Sequence, residues 1–284
     1  MGNFKFGVSL RTVDSSFVGL CRRAEELGYD AISVPDHLGA GRPAPFPALV
    51  AAAAATSRPR VGTLVSNLPF YNVALFARDV ANTWVLTGGR LELGLGSGHM
   101  KSEFDEAGLP WLKAADRIAY LRDGLAELRS RFGADLPPLL IAGNSDGVLS
   151  LAASDADIVG FAGLRQAPGK PPGTFVLDPA SAMDARVAYF RSLAGGREIE
   201  YNMLVQRVVV TDDRRAAAAE WQALTDPEPG VDELLEAPQL LLGTVDEIVT
   251  QLVERRKRYG FSYITVFDSM METLAPVVAR LRGR

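Results

Sequence analysis

The chain has 284 residues, 48% of them hydrophobic and 23% charged, the usage of an ordinary soluble enzyme. A formal charge of −4 with both signs mixed throughout argues against a nucleic-acid partner, since phosphate-backbone binding needs a basic face. The single cysteine, Cys21, excludes an internal disulfide and a cysteine-based zinc cluster, and a reducing cytoplasm is the expected setting.

The apolar pattern alternates between short strand-like runs and longer helical ones. Phe4–Leu10 is the first predicted strand; it lacks the charged-then-apolar layout of a signal peptide. A helix over Ser15–Gly28 ends on its glycine, and strand two follows at Ala31–Asp36. An alanine-rich helix over Pro47–Thr56, strand three at Arg60–Asn67 and a helix at Ala74–Thr87 come next, the last stopped by Gly88-Gly89. Strand four is Leu91–Gly98, and the long helix Ala114–Phe132 leads to strand five, Leu139–Ala142. A helix from Asp146 to Ser154 precedes strand six, Ile158–Ala162, and the Pro- and Gly-rich loop Arg165–Asp178 leads to a helix at Ser181–Ala194. Strand seven is read as Asn202–Val210 and strand eight as Tyr263–Phe267, before a last helix at Glu272–Leu281. Between those two strands lie helices at Arg214–Thr225, Val231–Leu235 and Val245–Tyr259, the last with capping-box spacing at Thr244 and Glu247.

Eight strands alternating with helices predict an α/β chain, a (β/α)8 barrel over residues 1–284 as one domain. It carries an insertion after strand six and extra helices between strands seven and eight. An open doubly wound sheet is the alternative. Strands apolar at nearly every position, such as Val208-Val209-Val210, suit a sheet covered on both faces. No apolar run reaches the ~18 residues of a membrane span.

The two histidines, His37 and His99, both stand just past a strand, at the rim where barrel active sites are built. A neutral imidazole there can donate a hydrogen bond or exchange a proton near neutral pH. Gly94-Leu95-Gly96-Ser97-Gly98 has a nucleotide-loop look, but the dinucleotide fingerprint needs glycine where His99 stands. Its glycines either form a tight strand exit or let a flat ring lie against the backbone. Gly143-Asn144-Ser145-Asp146 lies between a strand and a helix start, where N–H groups favour a phosphate; a capped turn explains the same residues. Asp36, His37, His99 and Glu103 are the only candidates for a metal set, and no metal-binding spacing is present, so none is expected. No catalytic triad is legible. Cys21 reads as buried filler.

Four stretches carry a likeness to a known family: Ala24-Glu25-Glu26-Leu27-Gly28-Tyr29-Asp30-Ala31 running into Pro35-Asp36-His37; Arg60-Val61-Gly62-Thr63-Leu64-Val65-Ser66-Asn67; Gly88-Gly89-Arg90-Leu91 through Gly98; and Gly243-Thr244-Val245-Asp246-Glu247-Ile248. In this order they resemble the luciferase-like family, and within it the oxidoreductases that use coenzyme F420. The resemblance implies a barrel, usually homodimeric, with a deazaflavin or flavin ring in its mouth. By position, it implies that Asp36 and His37 form the pair at the end of strand two, with the histidine on the ring. Leu64-Val65 takes the place of a non-prolyl cis peptide behind the ring, and Asn67 that of a polar residue at its pyrimidine end. Ser97, Gly98 and His99 match the strand-four rim; Ala142, Gly143 and Asn144 match the cofactor-phosphate loop. Glucose-6-phosphate dehydrogenases of the family carry a catalytic glutamate where His99 stands, a departure that speaks against a sugar-phosphate substrate.

The function this implies is hydride transfer between coenzyme F420 and a small organic molecule at a C=C, C=N or alcohol/carbonyl group. His37 or His99 is the expected proton partner, and Arg11, Phe70 and Trp111 the expected substrate contacts. An FMN-dependent monooxygenase is the alternative cofactor reading, and a barrel that binds a ligand without turnover the alternative of another kind.

Overall fold

The computed structural model describes residues 3–224 and 229–284. Eight parallel strands close on themselves: β1 (Lys5–Ser9), β2 (Ala31–Val34), β3 (Arg60–Thr63), β4 (Leu91–Gly96), β5 (Leu139–Ala142), β6 (Ile158–Phe161), β7 (Glu200–Leu204) and β8 (Phe261–Phe267). Each pairs with its neighbour in sequence, β8 returns to β1 with Gly7 opposite Thr265, and Val61 opposite Leu91 completes the ring. Helices wrap the outside, and the main apolar core lies between them and the strands. The chain is therefore a (β/α)8 barrel, and the open-sheet alternative is set aside.

Local signals place the helix ends. At Gly28 (φ 90°) the chain leaves its first helix, and the Tyr29 N–H reaches back to the Ala24 carbonyl at 3.0 Å, a six-residue closure that only a left-handed residue permits without strain. Thr244 and Glu247 form the expected reciprocal cap, with Thr244 N–H donating to Glu247 Oε2 at 2.7 Å. The helix over Arg214–Leu224 forms as expected; its predicted last residue, Thr225, lies outside the described residues.

The barrel floor is ionic. Lys5 at the start of β1 donates to Glu92 (2.7 Å) and Glu200 (3.3 Å), and its ammonium sits over the Tyr263 ring, whose hydroxyl donates to Glu92 (3.0 Å). These groups satisfy one another at the N-terminal end of the strands, opposite the end where ligands bind.

Three expectations need correction. Strand three is not continuous over Arg60–Asn67: β3 stops at Thr63, the Leu64–Val65 bond is cis, and only Ser66–Asn67 resumes pairing, with β4. Strand seven is two strands: β7 ends at Leu204, and Arg207–Val210 leaves the barrel to pair with Leu240–Gly243, a strand absent from the sequence reading. The insertion Arg165–Asp178 is not structureless; Leu164–Gln166 and Phe175–Leu177 form an antiparallel ribbon. A short helix, Lys101–Glu106, for which the sequence carries no assignment, also follows β4.

Candidate active site

The strand ends at the C-terminal face bring the two histidines together. The rings of His37, after β2, and His99, after β4, lie 5.5 Å apart and nearly perpendicular. His37 Nδ1 is 2.8 Å from Glu103 Oε1, so its N–H on that side donates to a carboxyl oxygen and Nε2 is left as the other ring nitrogen. Glu103, 8% exposed, stands on the helix Lys101–Glu106. Sequence reasoning reached Glu103 only as a metal ligand; no spacing rule could foretell a pair 66 residues apart.

His99 differs from the expectation of a protonated acid. The surrounding protein removes water from its ring, and His37 and Arg117 add like charge, so its pKa falls to about 4. His99 is exposed by surface area but crowded by protein in the mouth, and with its pKa lowered to about 4 the imidazole is uncharged at neutral pH.

Asp36 is buried at the end of β2 and accepts from the Asn67 N–H (2.9 Å) and the Tyr71 hydroxyl (3.0 Å). Burial pushes its carboxyl pKa up and those two bonds oppose the rise. Its partners are thus the backbone of Asn67 and the hydroxyl of Tyr71, a residue expected only in a substrate-pocket loop. The Asn67 side chain is itself buried, and its Oδ1 has no hydrogen-bond partner. Beside it Gly98 adopts φ 74°, and a Cβ there would lie 2.5 Å from that oxygen and 2.9 Å from Phe104 Cζ. Gly98 lets the chain pack against Asn67 and Phe104, and the unpaired buried amide oxygen fits a hydrogen-bond donor on a bound ligand.

The other two glycines of that run serve packing. A Cβ on Gly94 would collide with the Thr63 carbonyl, and one on Gly96 would lie 2.7 Å from Val65 Cγ2. They make room for the Thr63–Val65 bend, and Thr63 Oγ1 donates to the Gly94 carbonyl at 2.6 Å. Ser97 presents its carbonyl to Arg117 Nε (3.1 Å), and the Arg117 guanidinium stacks 3.8 Å from the centre of the Trp111 ring. Trp111 and Phe70 both pack on the buried Phe104, at 5.0 and 4.9 Å, so these two candidates share one aromatic wall on the β3–β4 side. Arg11 stands apart from them, past β1, paired with Asp268 at 3.1 Å and stacked on Phe267.

In the β5 loop the Gly143 N–H is turned to the Gly160 carbonyl (3.3 Å), and a Cβ there would lie 2.9 Å from Val148 Cγ1. Gly143 therefore serves the β5–β6 junction next to Ala142, not an open anion cradle. Asn144 donates to the Leu164 carbonyl (2.8 Å), has a buried Oδ1 without a partner, and offers its own carbonyl to Arg186 (3.3 Å). The Arg186 guanidinium, partly exposed and also paired with Asp146, is a cation at this loop that sequence reasoning missed.

The geometry is that of a barrel mouth with a histidine pair, a buried carboxyl at Asp36 and an amide oxygen unpaired among the described residues. A family model described as luciferase-like monooxygenase matches residues 11–225. The chain belongs to the luciferase-like monooxygenase family. Among members, an F420-dependent glucose-6-phosphate dehydrogenase from Beutenbergia cavernae is 29% identical over 92% of this chain and 91% of its own length. The enzyme of the same description from Amycolatopsis mediterranei is 34% identical, but over 40% of this chain and only 36% of the relative. An F420-dependent secondary alcohol dehydrogenase solved with an F420-acetone adduct superposes with a TM-score of 0.76, covering 99% of both chains at 17% identity. At that identity the likeness shows the (β/α)8 fold and nothing finer. Among the described residues no helix is long and apolar enough to cross a membrane.

Proposed function

We propose that this chain is an oxidoreductase that binds coenzyme F420 in the barrel mouth and passes a hydride between it and a small organic substrate. The observation that carries the reading is the His37–His99 pair at the barrel mouth together with Asn67, whose buried amide oxygen has no partner among the described residues. The near full-length similarity to an F420-dependent dehydrogenase supports this cofactor over FMN.

The deazaflavin, when bound, supplies two-electron hydride chemistry. The chain supplies placement and a proton. Asn67 Oδ1 would accept a hydrogen bond from the bound ring, and Asp36 fixes Asn67 through its backbone. His37, oriented by Glu103, holds or delivers a proton through Nε2. His99, neutral at physiological pH, donates or accepts a hydrogen bond on the substrate side. Asn144 and Arg186 flank the place for an anionic tail.

The reading is tested by supplying reduced or oxidised F420 with a panel of alcohols, ketones and enones and following the deazaflavin absorbance. Substrate-dependent change that disappears in His37→Ala is the expected result. No change with any substrate, alongside FMN-dependent oxygen consumption, would replace it with the monooxygenase alternative.

A further inference from the structure

Beside the mouth lies a cavity of about 480 Å3, within the range of small-molecule sites. It opens where the ribbon leaving β6 folds over the point at which the chain departs from β7. Leu164, Phe175, Leu177 and Trp221 give it apolar walls; Gln206 and Lys170 are its main polar groups. Its floor is built rather than incidental. Leu177 belongs to a separate apolar cluster with Ala218, Leu234, Leu240 and Leu242, under the outer strand pair. The buried Gln239 donates to the Gly163 (2.6 Å) and Asp178 (2.9 Å) carbonyls and so pins both ends of the ribbon.

Two contacts join this cavity to the histidines. The Phe175 ring lines the cavity and lies 5.3 Å from the His99 ring. At the ribbon tip Gly173 packs on the β4 rim, where a Cβ would lie 3.0 Å from Met100 Cγ and 3.6 Å from the His99 carbonyl oxygen. The ribbon thus spans from the β6 rim to the β4 rim, and the Phe175 ring is shared by cavity and mouth.

We infer that this cavity is the substrate pocket, and that it takes a flat apolar molecule with at most one anionic group, set against Lys170, and not a sugar phosphate. This rests on the oxidoreductase reading, without which the cavity is a ligand site only. A sugar phosphate brings hydroxyls on several sides and a dianion, and each buried hydroxyl needs a partner. The walls are largely hydrocarbon and aromatic, and no guanidinium lines them. Lys170 is exposed, and among the described residues its ammonium makes no ion pair, so one negative charge can be met there. Aromatic walls suit stacking of a planar substrate.

Calorimetric titration of the full chain with 2-naphthoate, 2-naphthalenemethanol and glucose 6-phosphate tests the assignment. The variants Thr174→Trp, which fills the cavity from an exposed position, and Lys170→Glu change cavity-lining residues of the ribbon and neither histidine. Both naphthalenes should bind saturably and lose roughly tenfold or more in Thr174→Trp; Lys170→Glu should weaken the carboxylate severalfold and spare the alcohol. Glucose 6-phosphate should give no saturable heat. Naphthoate binding indifferent to both substitutions, no saturable naphthoate binding, or tight glucose 6-phosphate binding lost in Lys170→Glu would overturn it. Titrating F420 into the same proteins separates the two readings. If F420 fails to bind while the naphthalene pattern holds, the cavity stands as an apolar ligand site and its role as a substrate pocket falls.

Discussion

Glu103 and His37 lie 66 residues apart in the chain and meet through Oε1 and Nδ1 at 2.8 Å, with the carboxyl group buried and the imidazole half-buried at the barrel mouth. A carboxyl on one ring nitrogen sets which face of the imidazole looks at a reactant, the arrangement by which histidines are oriented for proton transfer.

Glu103→Gln keeps the size and loses the charge, so it should lower kcat by about tenfold or more while changing cofactor affinity little. The pH profile of kcat should shift as well, which a purely structural loss would not produce. An unchanged rate and profile would mean that His37 needs no orientation.

His99 should titrate near pH 4. With only two histidines in the chain, NMR of the imidazole resonances in wild type and His37→Gln assigns it directly. The folded value lies below the ordinary histidine value of about 6.5, so the unfolded chain binds the proton first. Stability is full above about 6.5 and falls as pH drops towards 4, and His99→Gln should flatten that part of the stability curve.

Gly98→Ala places a methyl group against Asn67 Oδ1 and asks alanine to hold φ 74°. Cofactor affinity should fall roughly tenfold or more, with Gly19→Ala, where nothing lies within 4 Å, as the control. Equal affinities in fluorescence titrations would remove the Asn67–Gly98 wall from the cofactor site.

The strand-and-helix rhythm was legible because each barrel strand is apolar and bounded by turn residues. The rim histidines were legible because Pro35-Asp36-His37 and Gly98-His99 stand at strand ends. What escaped has physical reasons. Asn202 to Val210 holds no glycine or proline to mark where the chain turns out of the barrel at Val205-Gln206. Leu240–Gly243 is four apolar residues running into a helix cap, too short to separate from it. The six-residue helix that carries Glu103 is shorter than two helical turns, so it has no apolar period to read. The ribbon hid among prolines and glycines that signal loop. The amide of Gly143 meets the Gly160 carbonyl of the neighbouring strand, a pairing across the sheet that local sequence does not reveal.

The ionic floor gives a stability test. Lys5→Met strands Glu92, 5% exposed, beside Glu200, whose carboxyl burial already holds above its ordinary pKa. Breaking a buried pair from one side costs about 3 kcal/mol, so urea denaturation should show a loss of that order. Because the site lies at the opposite end, cofactor affinity at low denaturant should be kept.

The central claim is that the barrel mouth holds a deazaflavin. Side-by-side fluorescence titrations with coenzyme F420 and FMN test it most directly, with melting temperature as a second readout that rises with ligand concentration. The account predicts saturable F420 binding, tighter than FMN and weakened in Asn67→Ala. Saturable FMN binding with no response to F420 would contradict it.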